Sequence, residues 1–113
     1  MMQPPKRYRE FQERYPAVAK AYEELGAAVH SAGPLDEKVR ALVKLAISIG
    51  ARLEGAVHAH TRKALAVGVS AEELRHVAIL ALPTIGLPST VAALSWIEHV
   101  LETFASKEDE PTG

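Results

Sequence analysis

Apolar residues recur at helical intervals along most of the chain, and no stretch alternates apolar and polar residues as a β-strand would. Residues three and four positions apart fall on one face of an α-helix. The spacing predicts six helices, at about residues 6–14, 16–30, 36–50, 53–67, 70–82 and 89–105. The sequence therefore predicts an all-α fold.

Residues that favour the start of a helix stand at the start of several predicted helices. Asp36 stands at the start of the third helix, and an aspartate there can accept a hydrogen bond from a free backbone N–H. Ser70 with Glu73 three residues later forms a capping-box pattern at the start of the fifth helix. We expect residues 83–88 to form a compact turn and Ser89 to cap the sixth helix.

The third helix is apolar or small on nearly every side. One stripe consists of Val39, Leu42, Val43, Ala46 and Ile49, and the other side carries Ala41, Leu45 and Ser48. A helix of this kind is buried on more than one face. In a chain of 113 residues this indicates contact with another subunit.

Length and charge narrow the function classes. A chain of 113 residues is one domain, residues 1–113, and we expect residues 1–5 and 106–113 to be flexible. The formal net charge is −1, without the basic stripe that nucleic-acid binders carry. No apolar run reaches the length of a membrane-spanning helix. We expect no nucleic-acid partner, no membrane and a cytoplasmic location.

The chain contains no cysteine. A thiolate nucleophile, a disulfide and a cysteine-ligated zinc ion are therefore excluded. Acid–base chemistry must come from other side chains.

Candidate catalytic residues cluster in the fourth helix: Glu54, His58 and His60. A carboxylate and an imidazole can exchange protons near neutral pH. At 100° per residue, Glu54 and His58 share one face whereas His60 lies on another, among apolar neighbours. His60 is the stronger catalytic candidate. The structural alternatives are a core or interface histidine for His60 and an ordinary exposed pair for Glu54 with His58.

Three further residues are candidates for holding a substrate: Lys44, Arg62 and His76. Lys44 lies within the apolar third helix, where a lysine can also extend its amine to solvent. His76 in the fifth helix could close a pocket between the third, fourth and fifth helices. We expect no cofactor and no metal centre; His60 with His76 is the pair that a metal analysis would test.

The chain resembles the carboxymuconolactone decarboxylase family, which includes the AhpD-type alkylhydroperoxidases. The resemblance runs from about residue 35 to residue 96 and rests on three segments. These are Leu-Asp-Glu-Lys-Val-Arg at 35–40, Ala-His-Thr-Arg-Lys-Ala-Leu at 59–65 and Gly-Val-Ser-Ala-Glu-Glu-Leu at 68–74. The resemblance implies an AhpD-like all-α fold and a homotrimer or homohexamer.

The chain departs from the family at the residues that carry chemistry. The peroxidase branch has two cysteines where this chain has Leu53 and Ala56, and a glutamate where it has Ala41. Of that set only the histidine is present, as His60. Thiol peroxidase chemistry is therefore excluded. The decarboxylase branch tends to have a glutamate at the position of Ala56, so this chain resembles a cysteine-free branch of its own.

The resemblance implies a small-molecule lyase that acts on a carboxylate and uses His60 in proton transfer. The alternative is a non-catalytic oligomeric member of the family that serves as a binding or scaffold protein. Alanine at positions 41 and 56 is what a lost active site would leave behind.

Overall fold

A computed structural model describes the backbone of residues 4–109 and the side chains of residues 4–104. Its helices are α1 (Lys6–Arg14), α2 (Pro16–His30), α3 (Glu37–Gly50), α4 (Glu54–Ala66), α5 (Ala71–Leu80), α6 (Leu82–Ile85) and α7 (Leu87–Asp109). No strand occurs between residues 4 and 109, which confirms the all-α prediction. Residues 1–3 and 110–113, part of the ends expected to be flexible, lie outside the described residues.

The predicted caps of α3 and α5 are present. The Asp36 carboxylate accepts a hydrogen bond from the Val39 backbone N–H at 2.9 Å. The Ser70 hydroxyl accepts from the Glu73 N–H at 3.0 Å, and the Glu73 carboxylate accepts from the Ser70 N–H at 2.9 Å. These bonds satisfy backbone donors that the first turn of a helix leaves free.

The start of the last helix differs from the prediction. Helix α7 begins at Leu87, so Ser89 lies inside the first turn and is not its cap. Pro88 is the second residue of the helix, where its missing N–H has no intrahelical acceptor to lose. Gly86, with φ of +93°, separates α6 from α7 in a conformation that glycine adopts readily.

The chain divides into two compact units, residues 1–34 and 35–113. The first unit is the α1–α2 pair. The Gln12 amide donates to the Glu23 carboxylate at 3.1 Å between these helices. The rings of Tyr8, Phe11 and Tyr15 follow one another with centroids 6.1 and 5.8 Å apart. Ala19 is the buried residue of α2.

The second unit packs α3, α4, α5 and α7 around one apolar core. Its buried members are Leu45, Ile49, Val57, Ala64, Val69, Leu74, Ala78, Ala93 and Ile97. At the surface the Arg75 guanidinium of α5 donates to both carboxylate oxygens of Glu98 on α7, at 2.5 and 3.2 Å. The core and this paired contact hold α4 and its histidines between α3 and α7.

Among residues 4–109, no helix combines the length and the apolar character needed to cross a lipid bilayer.

Candidate functional site

Helix α4 places its two histidines on opposite flanks. The buried residues of α4 are Val57, Thr61 and Ala64, which form one line along the helix. His58 and His60 are both half-buried on either side of this line. The charges that act on His58 come from α4 and α7, whereas those that act on His60 come from α4 and α3. The two histidines therefore belong to different sites, as their spacing predicts.

His60 lies beside two lysines, Lys63 one turn further along α4 and Lys44 on α3. The pKa of His60 is lowered to about 4, by burial first and then by the positive charges of Lys63 and Lys44. Burial and nearby cations both disfavour the imidazolium. His60 is therefore neutral at pH 7.

Lys44 is one of the cations near His60. It is half-buried, and its pKa is lowered by burial first and then by the charges of Lys63 and Arg40. We call Arg40, Lys44, His60 and Lys63 the cationic cluster. A concentration of positive charge at a partly buried surface attracts anions. The cluster therefore places positive charge near a neutral imidazole.

The opposite flank of α4 brings His58 against His99 of α7. The ring centroids are 5.6 Å apart, and the ring planes are inclined by 35°. The Nε2 atom of His58 is buried without a hydrogen-bond partner, as is the Oγ1 atom of Thr61. Burial lowers the pKa of His58; Glu54 opposes this effect, while His99 and Arg62 add to it.

The predicted site residues thus fall into three places. Lys44 lies with His60, and Glu54 and Arg62 act on His58. Glu54 itself is exposed, and Arg62 is half-buried, which lowers its pKa. His76 is exposed and lines a groove in another part of the second unit. No group of three or more His, Asp or Glu side chains among the described residues could hold a metal ion.

The groove that His76 lines has a volume of about 510 Å³ and lies between α3, α5 and α6. Its walls are mostly apolar, with Val43 on α3 and Val77 and Leu80 on α5. Glu73 and Thr84 add polar atoms. His60 is not among its lining residues, so the structure separates His60 from His76.

Sequence reasoning missed two neighbours of the candidate residues. Lys63 follows His60 by three residues, so helical spacing alone could have indicated their proximity. His99 is distant in sequence from His58, and no local pattern predicts that contact.

Comparison with known proteins gives a family match. A model of the carboxymuconolactone decarboxylase family matches residues 16–99, which confirms the predicted resemblance. An uncharacterized protein of Haemophilus influenzae is 37% identical over 59 residues, which are 52% of this chain and 52% of that protein. The match thus spans about half the length of this relative. No solved structure matches the chain.

Proposed function

Because the chain belongs to the carboxymuconolactone decarboxylase family, we propose that it is a small-molecule lyase in which His60 transfers the proton. The observation that supports this role most directly is the position of His60 beside Lys44 and Lys63. The substrate in this proposal is a lactone that carries carboxylates.

The cationic cluster gives the carboxylate a defined role. His60 is neutral at pH 7, because burial and the two lysines hold its pKa at about 4. A bound carboxylate adds negative charge, which raises the pKa of a neighbouring imidazole. His60 then takes up a proton as the substrate binds, and the site acquires an acid in contact with the anion.

The reaction needs this acid at one step. The bond between carbon and the leaving carboxylate breaks, carbon dioxide departs and the electron pair stays on the substrate carbon. The proton on His60 passes to that carbon, and the imidazole returns to its neutral form. A positioned proton donor of this kind contributes about 10²–10⁴-fold to a rate.

The test is release of carbon dioxide from a lactone dicarboxylate, followed by mass spectrometry. We expect His60→Gln to lower kcat by about 10²–10⁴-fold, and the product formed in D₂O to carry one carbon-bound deuterium. His76→Gln is the matched control, because His76 lines the separate groove. Wild-type turnover no higher than that of His60→Ala would refute the proposal.

Lys44 has a separate test. Lys44→Gln should raise KM more than it lowers kcat, because the ammonium group binds the carboxylate in our proposal. The control is Lys20→Gln on α2, a lysine that pairs with Glu24 at 4.0 Å and is highly exposed. Equal effects of both substitutions would remove Lys44 from the site.

A second candidate function is anion binding without turnover. The chain has Leu53, Ala56 and Ala41 where relatives use thiols or carboxylates, so no second acid or base accompanies His60 at these positions. Calorimetry in two buffers of different ionisation enthalpy distinguishes this function. A binding protein would take up a proton with the dicarboxylate and release no carbon dioxide.

A further inference from the structure

Helix α3 holds Lys44 at the edge of its buried surface. Lys44 is half-buried, and its neighbour Leu45 is fully buried in the core of the second unit. The Ser48 hydroxyl donates to the Lys44 carbonyl at 2.9 Å, one turn further along the helix. The side chain of Lys44 therefore leaves a regular helical backbone beside the core and extends over a partly buried surface.

Helical spacing puts another cation beside Lys44 on α3 and one beside His60 on α4. Arg40 precedes Lys44 by four residues and Lys63 follows His60 by three, so each pair shares one side of its helix. The Arg40 guanidinium donates to the Leu35 carbonyl at 2.6 Å, which holds it at the start of α3. Because α3 packs on α4, the charges on these two sides act on one another.

A lysine among cations differs chemically from an exposed lysine. Burial first, and then the charges of Lys63 and Arg40, lower the pKa of Lys44. A lowered pKa increases the fraction of neutral amine. A neutral lysine amine with positive neighbours attacks carbonyl carbons and forms imines. In the lyase proposal the charged form of Lys44 holds a carboxylate, whereas the neutral form of the same amine makes a second chemistry available.

We propose that Lys44 forms an imine with the ketone of a β-keto acid and that the protein decarboxylates this acid through the imine. In such an acid one methylene separates the ketone from the carboxylate. The positive charges of Lys63 and Arg40, which both act on Lys44, attract the carboxylate and bring the ketone to the amine. This activity uses the cationic cluster but needs no lactone, so it is independent of the lyase proposal.

The imine forms without an oxidant or a reductant. The neutral amine adds to the ketone carbon, and one of its protons moves to the oxygen. A proton from solvent, relayed by the neutral imidazole of His60, converts the resulting hydroxyl into water. That water leaves, and an iminium remains on Lys44.

The iminium then accepts the electrons of the breaking bond. The carbon–carbon bond to the carboxylate breaks, carbon dioxide leaves, and the electron pair moves toward nitrogen to give a neutral enamine. The enamine carbon takes a proton from solvent, which restores the iminium. Water releases the ketone, one proton and the regenerated amine of Lys44. In sum, one β-keto acid anion and one proton give one ketone and one carbon dioxide.

The first experiment traps the imine with sodium cyanoborohydride in the presence of acetoacetate. We expect mass spectrometry of the digested protein to find the reduced adduct on Lys44, and Lys44→Arg, which keeps the charge, to lose it completely. Lys63→Gln should slow the labelling, because Lys63 is one of the charges that lower the pKa of Lys44. The highly exposed Lys20 is the comparison within the same sample. No adduct on Lys44, or equal labelling of Lys44 and Lys20, overturns the proposal.

The second experiment follows carbon dioxide and acetone formed from acetoacetate in oxygen-labelled water. Hydrolysis of an imine takes its oxygen from solvent, so the acetone should carry the label beyond the spontaneous exchange measured without protein. Acetone that keeps the oxygen of the substrate overturns the proposal. Wild type that turns over the lactone dicarboxylate and forms no acetoacetate adduct would overturn this proposal and leave the lyase proposal in place. An adduct on Lys44 without lactone turnover would do the reverse.

Discussion

His58 on α4 contacts His99 on α7, with ring centroids 5.6 Å apart and ring planes inclined by 35°. A positive charge on His99 disfavours protonation of His58. Burial is the larger cause of the lowered pKa of His58. This contact joins α7 to α4 on the flank opposite to His60.

The first prediction concerns this pair. His99→Gln should raise the pKa of His58, because it removes one of the groups that lower it. The value should stay below 6.5, since burial remains. The measurement is a titration of the imidazole carbon–proton resonances by NMR. A wild-type His58 that titrates above 6.5 would contradict this prediction.

The second prediction concerns acid stability. The folded pKa of His60 is about 4 against an ordinary value of 6.5, so the unfolded chain binds the proton more tightly. The contribution of neutral His60 to the free energy of unfolding is complete above pH 6.5 and is lost as the pH falls toward 4. We expect a loss on the order of 2 kcal/mol after allowance for solvent screening.

Urea unfolding between pH 7.5 and 4 measures this loss. His60→Gln should make the free energy of unfolding depend less on pH. Lys44→Met should raise the pKa of His60, because it removes a cation near the imidazole, so the loss of stability should end at a higher pH. His76→Gln is the control for loss of an imidazole elsewhere in the second unit. An identical slope in wild type and His60→Gln would exclude His60 as the group responsible.

The third prediction concerns Arg75 and Glu98, which connect α5 to α7. The Glu98 pKa is lowered chiefly by its hydrogen bonds with Arg75. Its contribution to stability is present above pH 4.5 and is lost as the pH falls through the lowered value. Both side chains are more than a third exposed, so Glu98→Gln should cost about 0.5–1 kcal/mol at pH 7.

Denaturant midpoints at pH 7 and pH 3 check this pair. The matched control is Glu24→Gln, whose partner Lys20 lies 4.0 Å away at a highly exposed surface. That substitution should change the free energy of unfolding by less than about 0.5 kcal/mol. Equal costs for the two substitutions would show that the two-bond geometry of Arg75 adds nothing.

The fourth prediction concerns Arg52 in the loop between α3 and α4. Its φ of +59° lies in the left-handed region, which costs a residue with a Cβ atom about 1 kcal/mol. Arg52→Gly should raise the free energy of unfolding by about 0.5–1 kcal/mol. Arg52→Ala keeps the Cβ atom and should give no such gain. Thermal and urea unfolding of the three proteins make the comparison.

Local signals in the sequence predicted much of the fold. The capping residues Asp36 and Ser70 act on backbone groups within three residues, so their effect can be read from a short segment. The start of α7 was harder to predict, because Pro88 is compatible both with a turn and with the first turn of a helix.

The candidate site was predicted only in part. The separation of His58 from His60 follows from the geometry of one helix, and the structure shows it. The effect of the Lys44 charge on His60, and the contact of His58 with His99, depend on how α3 and α7 pack against α4. Such packing is set by side chains distant in sequence, which helical spacing does not reveal.

The buried line of Val57, Thr61 and Ala64 has an evolutionary consequence. It keeps the surroundings of His58 and His60 apart, so a substitution on one flank leaves the neighbours of the other in place. A descendant of this protein could therefore replace the His58–His99 contact and keep its cationic cluster, or the reverse. The two flanks of α4 are free to diverge at separate rates.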